Sequence, residues 1–570
     1  MEKKNRKKSP VVIVLLLMVL ILVASIAVTQ IQKRIPSNKR MDAESYFHLQ
    51  DEDEVAITAD GSVSESTGKM IDGNIYLDYE SIASLINPSF FYEEDTKTLI
   101  ITTPKDTKTI DLSKSGASAD NRVQILDGTM YVSLDMLQKW SDIHVETFEN
   151  PNRVYITTDF THVEETVSAQ KSVAVRNEPS IKAPILLDLE NGSSVKVLDV
   201  DADGGALDGK KEGWTRVVSE GIIGYVQDES LTDSRSVEDD HTSAIGSYHD
   251  RAAGAAKINM AFHQTTSQAS NDALPDAIRN VSGVNVIAPT WFFLNSDAGA
   301  IDSLASKTYV DTAHAAGLKV WAVLNDFDGG VNSGKSTAAA LSTYKNRQAM
   351  ITAVLSGLRT SGADGLNVDF EKVTKTSAAD FLEFIRELSA AIRKEGYVLS
   401  VDNYVPTFTS FMGRGEQARV ADYVVVMCYD EHTKGSEEAG SVASLRYVEK
   451  GLDDTLSEVP ADQVIAALPF YTRLWQTEDG GTPDCTSYGM ADAAAAVSSL
   501  GMETKWDENA GQYVGDMTVS GVRYQIWMEE EKSIEEKMKA VRARGLAGVA
   551  EWKLGFENDD IWSIISDYLK

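Results

Sequence analysis

The octet Asp364-Gly365-Leu366-Asn367-Val368-Asp369-Phe370-Glu371 carries the residues best suited to chemistry in this chain. Successive side chains of a strand point to opposite faces, so Asn367, Asp369 and Glu371 share one face while Leu366, Val368 and Phe370 share the other. Three polar side chains on the inner face of a buried strand are costly unless paired, and purely structural strands seldom place them there. Two carboxylates on that face oppose each other's ionisation and raise the upper apparent pKa of the pair. A raised value is what a general acid near neutral pH needs, and Glu371 is the outermost of the three. His263, His432 and the other histidines form no HExxH-like pattern, and no glycine-rich loop runs into Lys-Ser/Thr. Neither a metal, a nucleotide nor another cofactor is implied.

Such a strand needs neighbours. From 251 to 570, apolar runs at 257–262, 284–288, 319–324, 365–370, 398–404, 423–429, 464–470 and 545–552 alternate with helical stretches. Near-continuous apolar strands fit a parallel sheet buried on both faces. Eight of them spaced by helices predict an α/β domain, a (β/α)8 TIM barrel. Active sites of such barrels lie at the C-terminal ends of the strands, where Glu371 falls.

The octet resembles the D-G-x-x-x-D-x-E signature of glycoside hydrolase family 18, the chitinase-like barrels, and the resemblance covers about residues 250 to 570. Met427-Cys428-Tyr429-Asp430 is similar to the family's M-x-Y-D on the sixth strand. Trp552 ends the last strand, where the family has a tryptophan under the substrate sugar. The stretches 468–475 (LPFYTRLW) and 552–557 (WKLGFE) resemble the cell-wall and spore-cortex branch. Many members carry a third Asp where this chain has Asn367. The cell-wall branch often has Asn there, a difference that bears on how charge is shared with Asp369.

The resemblance implies a glycosidase that cuts β-1,4 bonds next to N-acetylglucosamine in peptidoglycan, with spore cortex as one such substrate, by substrate-assisted retaining catalysis. In that scheme Glu371 protonates the leaving oxygen and later acts as base toward water. The substrate's own N-acetyl oxygen attacks the anomeric carbon, Asp369 orients the acetamide, and Tyr429 hydrogen-bonds its oxygen. Asn367, Asp430, Trp552, Tyr471, Arg473 and Trp291 are the expected substrate-binding residues. Asp430 would bond Asp369 or the sugar, and Arg473 would reach substrate or settle into a salt bridge. Trp321, Tyr404 and Trp475 are further aromatics for sugar stacking or for core packing. Competing readings are a chitin-oligosaccharide hydrolase, a barrel acting only as a lectin, and a membrane interaction protein whose N-terminal domains carry the function. Retention of both Asp369 and Glu371 counts against the lectin.

The rest of the 570-residue chain is too long for one core, so several domains are expected. Its 43% hydrophobic and 25% charged content is that of a globular protein. A net charge of -32 excludes nucleic acid as partner and electrostatic docking on an anionic wall, leaving stacking and hydrogen bonds to neutral sugars. Residues 1–9 read as a basic cytoplasmic tail and 10–29 as a transmembrane signal-anchor, which places the remainder outside the cell membrane. Lys33, Arg34, Lys39 and Arg40 after the run weaken that orientation, and cleavage near Ser25 and Ala27 would instead give a secreted protein.

Residues 42–160 contain a repeat: Asp72-Gly73-Asn74-Ile75-Tyr76-Leu77-Asp78 matches Asp127-Gly128-Thr129-Met130-Tyr131-Val132-Ser133, and 99–103 matches 154–158. This small α+β pattern resembles the domain named after the N-terminal region of copper amine oxidases. The name implies no copper, since His48 and His144 have no ligand cluster around them. Short strands with Gly-rich turns over 165–232 predict a small all-β barrel and resemble a bacterial Src-homology-3-like domain. Residues 233–250 read as a linker. Cys428 and Cys485 are too few for a disulfide framework and leave one bridge or two free thiols open.

Overall fold

The computed structural model describes residues 10–114, 116–118, 122–160, 164–198, 213–232, 235–237, 256–479 and 481–570, with positions 243, 245, 246 and 248. The basic tail 1–9 and most of the 233–250 linker lie outside the described residues. By contacts the chain forms two units, Met1–Phe90 with Leu112–Ala244, and Phe91–Asp111 with Ile245–Lys570.

The second unit is built on a closed barrel of eight parallel strands: β1 (Ile258–His263), β2 (Val286–Leu294), β3 (Lys319–Asn325), β4 (Gly365–Asp369), β5 (Val398–Tyr404), β6 (Tyr423–Met427), β7 (Val464–Pro469) and β8 (Gly548–Trp552). Each pairs with the next, and β8 closes on both β7 and β1. All eight apolar runs of the sequence fall on these strands. The reason is burial on both faces: Val424, Val425 and Val426 of β6 are all fully buried.

On β4 the two-residue period works as expected. Phe370 points away from the axis and stacks on Phe381 and Phe384 of helix Ala378–Arg393, at ring separations of 5.8 and 5.7 Å. That one side chain contributes about 1.5–3 kcal/mol by burial. Asn367 and Asp369 face inward and are buried. The strand begins at Gly365 because nothing larger fits: a Cβ there would lie 2.8 Å from both Trp321 and the Val398 carbonyl. Trp321 stacks on Tyr423 at 5.5 Å and so fills the N-terminal end of the barrel, opposite the end that carries Glu371.

Between β7 and β8 the chain leaves the barrel pattern for a five-stranded antiparallel sheet, in the order Asp484–Gly489, Tyr471–Glu478, Val522–Trp527, Gln512–Val519, Thr504–Asp507. The sequence reading did not separate it from the barrel. Its signal is a hairpin turn at Ser520-Gly521, both left-handed (φ 53° and 84°), between two alternating strands. A second addition comes from the N-terminal side. Strands Thr98–Thr102 and Thr107–Asp111 group with the barrel: Thr102 Oγ1 donates to Glu383 (3.1 Å), and Glu93 lies 3.4 Å from the buried Arg347.

In the first unit the two repeat copies form equivalent hairpins, turning at Asp72-Gly73 and Asp127-Gly128 with positive φ at all four residues. Their second strands, Asn74–Asp78 and Thr129–Ser133, pair antiparallel with each other, Leu77 opposite Val132. The copies then diverge. Arg153–Thr157 runs parallel to Glu54–Ala59, whereas its counterpart Thr98–Thr102 joins the barrel unit. The region 165–232 contributes to a seven-stranded antiparallel sheet whose core includes the fully buried Val175, Val217 and Val226. Strand Ile185–Leu189 of that sheet was not foreseen.

The apolar run after the basic tail forms one 25-residue helix, Pro10–Arg34, with Leu15, Leu17, Met18, Leu20 and Ile21 exposed. Part of its side chains lie outside the described residues. Among the described residues no helix is long and apolar enough to cross a membrane. Cys428 and Cys485 are both free thiols, and burial pushes the Cys428 thiol up to about 12.

Candidate active site

The strand ends β3 to β6 converge around a cluster of carboxyl groups. Glu371 follows β4, and its backbone N–H donates to Asp326 at 2.8 Å, just past β3. The same carboxylate accepts from Lys372 N (3.1 Å) and Thr337 Oγ1 (2.8 Å), so Asp326 pins the segment that carries the acid. Burial holds Glu371 above the ordinary glutamate value. It does so against a hydrogen bond donated by Tyr404 and the charge of Lys372, whose Nζ is 3.7 Å away. An acid that keeps its proton longer than usual is a competent general acid.

Asp369 is 5% exposed, and burial followed by the charge of Asp402, Glu371, Asp326 and Asp328 raises it well above the aspartate value. Its Oδ1 is buried without a hydrogen-bond partner. Asn367 does not touch it: the amide donates to Asp402 on β5 (2.7 Å) and accepts from Ser400 (2.6 Å). Tyr429, just past β6, is buried, and the charge of Asp369 helps keep its hydroxyl protonated after burial itself.

Asp430 sits in the left-handed region at φ 62°, unusual for a non-glycine residue. It accepts from the Tyr471 hydroxyl (2.5 Å) and from Arg473 (2.9 Å), where a bond to Asp369 or to sugar was expected. Arg473 also donates to the His432 carbonyl and lies 5.3 Å over the Tyr471 ring. This pair therefore acts first on Asp430 and on the β6 end. The Tyr471 and Tyr429 rings meet edge to face at 6.2 Å. Trp552, partly exposed at the end of β8, leans on Phe262 at 5.5 Å.

Trp291 is not at the ligand face. It is the extra residue where the β2–β3 register shifts between Thr290 and Phe292, and that bulge turns its ring outward. There its indole donates to Asn271 (2.8 Å), and it meets Tyr309 edge to face at 5.0 Å, fully buried. Trp475 is likewise fully buried, bonded to the Gly440 carbonyl. Asp326 and Asp402 were missed, and Tyr404 was named only as a stacking aromatic. Their one sequence signal is position, a polar residue at or near the C-terminal end of an apolar run. Near β3, Asp328 joins Gln264, Thr265, Phe293 and Asp302 in lining a cavity of about 360 Å³.

The arrangement is a buried carboxyl at a strand end with a second carboxyl two residues before it, on a chain that resembles known proteins. The sequence model of glycosyl hydrolases family 18 matches residues 222–557. "Uncharacterized glycosylase YvbX" of Bacillus subtilis is 25% identical over 298 residues, 50% of this chain and 84% of that protein. The "Cortical fragment-lytic enzyme" of Bacillus anthracis is 21% identical over 252 residues, 43% of this chain and 58% of that one. Among solved structures, the Bacillus cereus spore cortex-lytic enzyme SleL superposes with a TM-score of 0.50 at 20% identity, covering 55% of this chain and 74% of SleL. The chain thus spans little more than half the length of the cortical fragment-lytic enzyme it matches. With the family's sequence model covering more than half of the chain, the protein belongs to glycosyl hydrolases family 18 and is a glycosidase.

Proposed function

We propose that this glycosidase cleaves β-1,4 bonds next to N-acetylglucosamine in peptidoglycan, spore cortex included, by substrate-assisted retaining catalysis. The observation that carries the reading is Asp369: a buried carboxyl beside the acid, with one oxygen unpartnered, on the face that Tyr429 also approaches. A site with its own nucleophile would set an ionised, solvated carboxylate opposite the acid. Here the carboxyl next to Glu371 is buried and disposed to accept an amide N–H.

In the proposed course Glu371 gives its proton to the leaving glycosidic oxygen as the substrate's N-acetyl oxygen closes on the anomeric carbon. The result is an oxazolinium ion and a free glycan end. Asp369 accepts the acetamide N–H and offsets the positive charge, and Tyr429 donates to the acetamide oxygen before attack. Glu371, now ionised, takes a proton from the incoming water, whose oxygen opens the ring with net retention. The choice of wall glycan is supported by the named relatives, cortical fragment-lytic and spore cortex-lytic enzymes. The uncharged run 11–28 behind the basic residues 2–8 supports a barrel held on the outer side of the cell membrane.

De-N-acetylated substrate tests the reading. Removing the acetyl groups from a peptidoglycan that the enzyme degrades should abolish cleavage, and a thiazoline analogue of the oxazolinium ion should inhibit. Equal cleavage of acetylated and deacetylated glycan would overturn it.

A further inference from the structure

Asn367 occupies the inward position of β4 from which a third carboxyl would press on Asp369. Its amide points elsewhere: Nδ2 donates to Asp402 Oδ2 at 2.7 Å and Oδ1 accepts from Ser400 Oγ at 2.6 Å. Both partners lie on β5. The β4–β5 register pairs Asn367 with Ser400 and Val368 with Val401, and one step further sets Asp369 beside Asp402. Neighbouring strands run about 4.8 Å apart, so two inward carboxyls at that step face each other. Each has an Oδ1 that is buried and lacks a partner. Two buried carboxyls at adjoining positions of neighbouring strands, each with an orphaned oxygen, are strongly unfavourable when both are ionised, and one proton shared by the pair relieves this.

We propose that Asp402 is the positioning residue that shares a proton with Asp369, so that the third acid of this site is supplied from β5 and is held in place by the Ser400–Asn367 hydrogen-bond chain. The inference rests on the catalytic reading of Asp369 given above. In the resting site the proton lies between the two Oδ1 atoms. As the acetamide N–H arrives, the proton passes wholly to Asp402, which becomes the neutral acid, and Asp369 becomes the carboxylate facing the developing cation. No proton is gained or lost by the pair. Asp369 is also faced by Glu371 on its own segment, by Asp326 and Asp328 after β3, and by Tyr429 after β6. A proton stored on Asp402 relieves that crowding of negative charge. Burial, eased by the Asn367 bond and raised further by Glu371, already pushes Asp402 up to about 8.

The test has two arms. In the ligand-free full-length protein, carbon-13 aspartate carboxyl resonances followed against pH should show Asp369 and Asp402 titrating as a pair. Asp402→Asn should move the titration of Asp369 to lower pH, because its nearest like charge is gone. An unchanged Asp369 titration in Asp402→Asn refutes the pairing. In turnover of wall glycan, Asp402→Asn should lower kcat by about tenfold or more and move the pH profile, with KM within about twofold. The exchange Asn367→Asp/Asp402→Asn, which returns one acid to the cluster from β4, should recover most of the loss. A double variant that folds like the wild type yet is no better than Asp402→Asn refutes the assignment. Inactivity of the wild-type protein on N-acetylated glycan would instead overturn the proposed function and leave the carboxyl titration to decide the pair.

Discussion

Removing Asp326 should disable the acid without altering it. The carboxylate is fully buried and accepts from Glu371 N at 2.8 Å, Lys372 N at 3.1 Å and Thr337 Oγ1 at 2.8 Å. In Asp326→Ala two backbone N–H groups lose their acceptor in a nearly closed site, at about 1–3 kcal/mol each. The variant also escapes the cost of burying that carboxylate, which brings the net loss toward the lower end, about 2–3 kcal/mol. The kinetic effect is larger. Glu371 is positioned through its backbone, and a displacement of about 1 Å at a reacting group costs about a hundredfold. Steady-state kinetics on wall glycan, paired with denaturant unfolding, should show kcat down by about a hundredfold and KM little changed. Activity within threefold of wild type, in a variant shown to be less stable, would mean that other contacts hold Glu371 and would refute this account of its placement.

Tyr404→Phe deletes the hydrogen bond that favours ionised Glu371, so the acid should keep its proton to higher pH and the alkaline limb of kcat/KM should move up. A limb that stays or moves down contradicts that bond. Glu551 on β8 is fully buried with both carboxylate oxygens unpartnered, and burial raises it well above the glutamate value. The folded protein therefore holds a proton that the unfolded chain releases above about pH 4.3. Stability from this group is complete below that pH and is lost as pH rises toward the folded value, by about 1.4 kcal/mol per pH unit. Unfolding midpoints at about pH 5 and 7 should show that slope reduced in Glu551→Gln, and equal slopes would rule the idea out. Lys537 and Glu529 form a fully buried pair at 2.7 Å, so Lys537→Met should cost about 3–5 kcal/mol in urea unfolding. Adding Glu529→Leu should recover most of it, and a single variant as stable as wild type would show that the pair contributes nothing.

The barrel and the strand that carries Asp369 and Glu371 were legible because both are local. A strand buried on two faces reads as a continuous apolar run, and Glu371 and Asp369 lie two residues apart on one of them. What the sequence could not show depends on which strands become neighbours. Asp326, Tyr404 and Asp402 meet the β4 residues only through the register of β3, β4 and β5, a property of distant segments. Trp291 was misplaced for a finer reason: it was named as an aromatic near a strand end, and that position does not say which face the ring takes where the β2 register shifts. Arg473 and Tyr471 were read as substrate-binding; in the structure they bond Asp430, because the strand carrying them belongs to the five-stranded addition after β7. The repeat in the first unit was visible as sequence. The departure of Thr98–Thr102 to the barrel unit was not, since that strand keeps the composition of its counterpart.

The central claim, a family 18 glycosidase that uses Glu371 on N-acetylated wall glycan, is tested most directly by mass spectrometry of the products that the full-length protein releases from purified peptidoglycan, beside Glu371→Gln. The account predicts muropeptides with new N-acetylglucosamine reducing ends from the wild type and none from the variant. Equal release by both proteins, or no cleavage of peptidoglycan by the wild type, would contradict it.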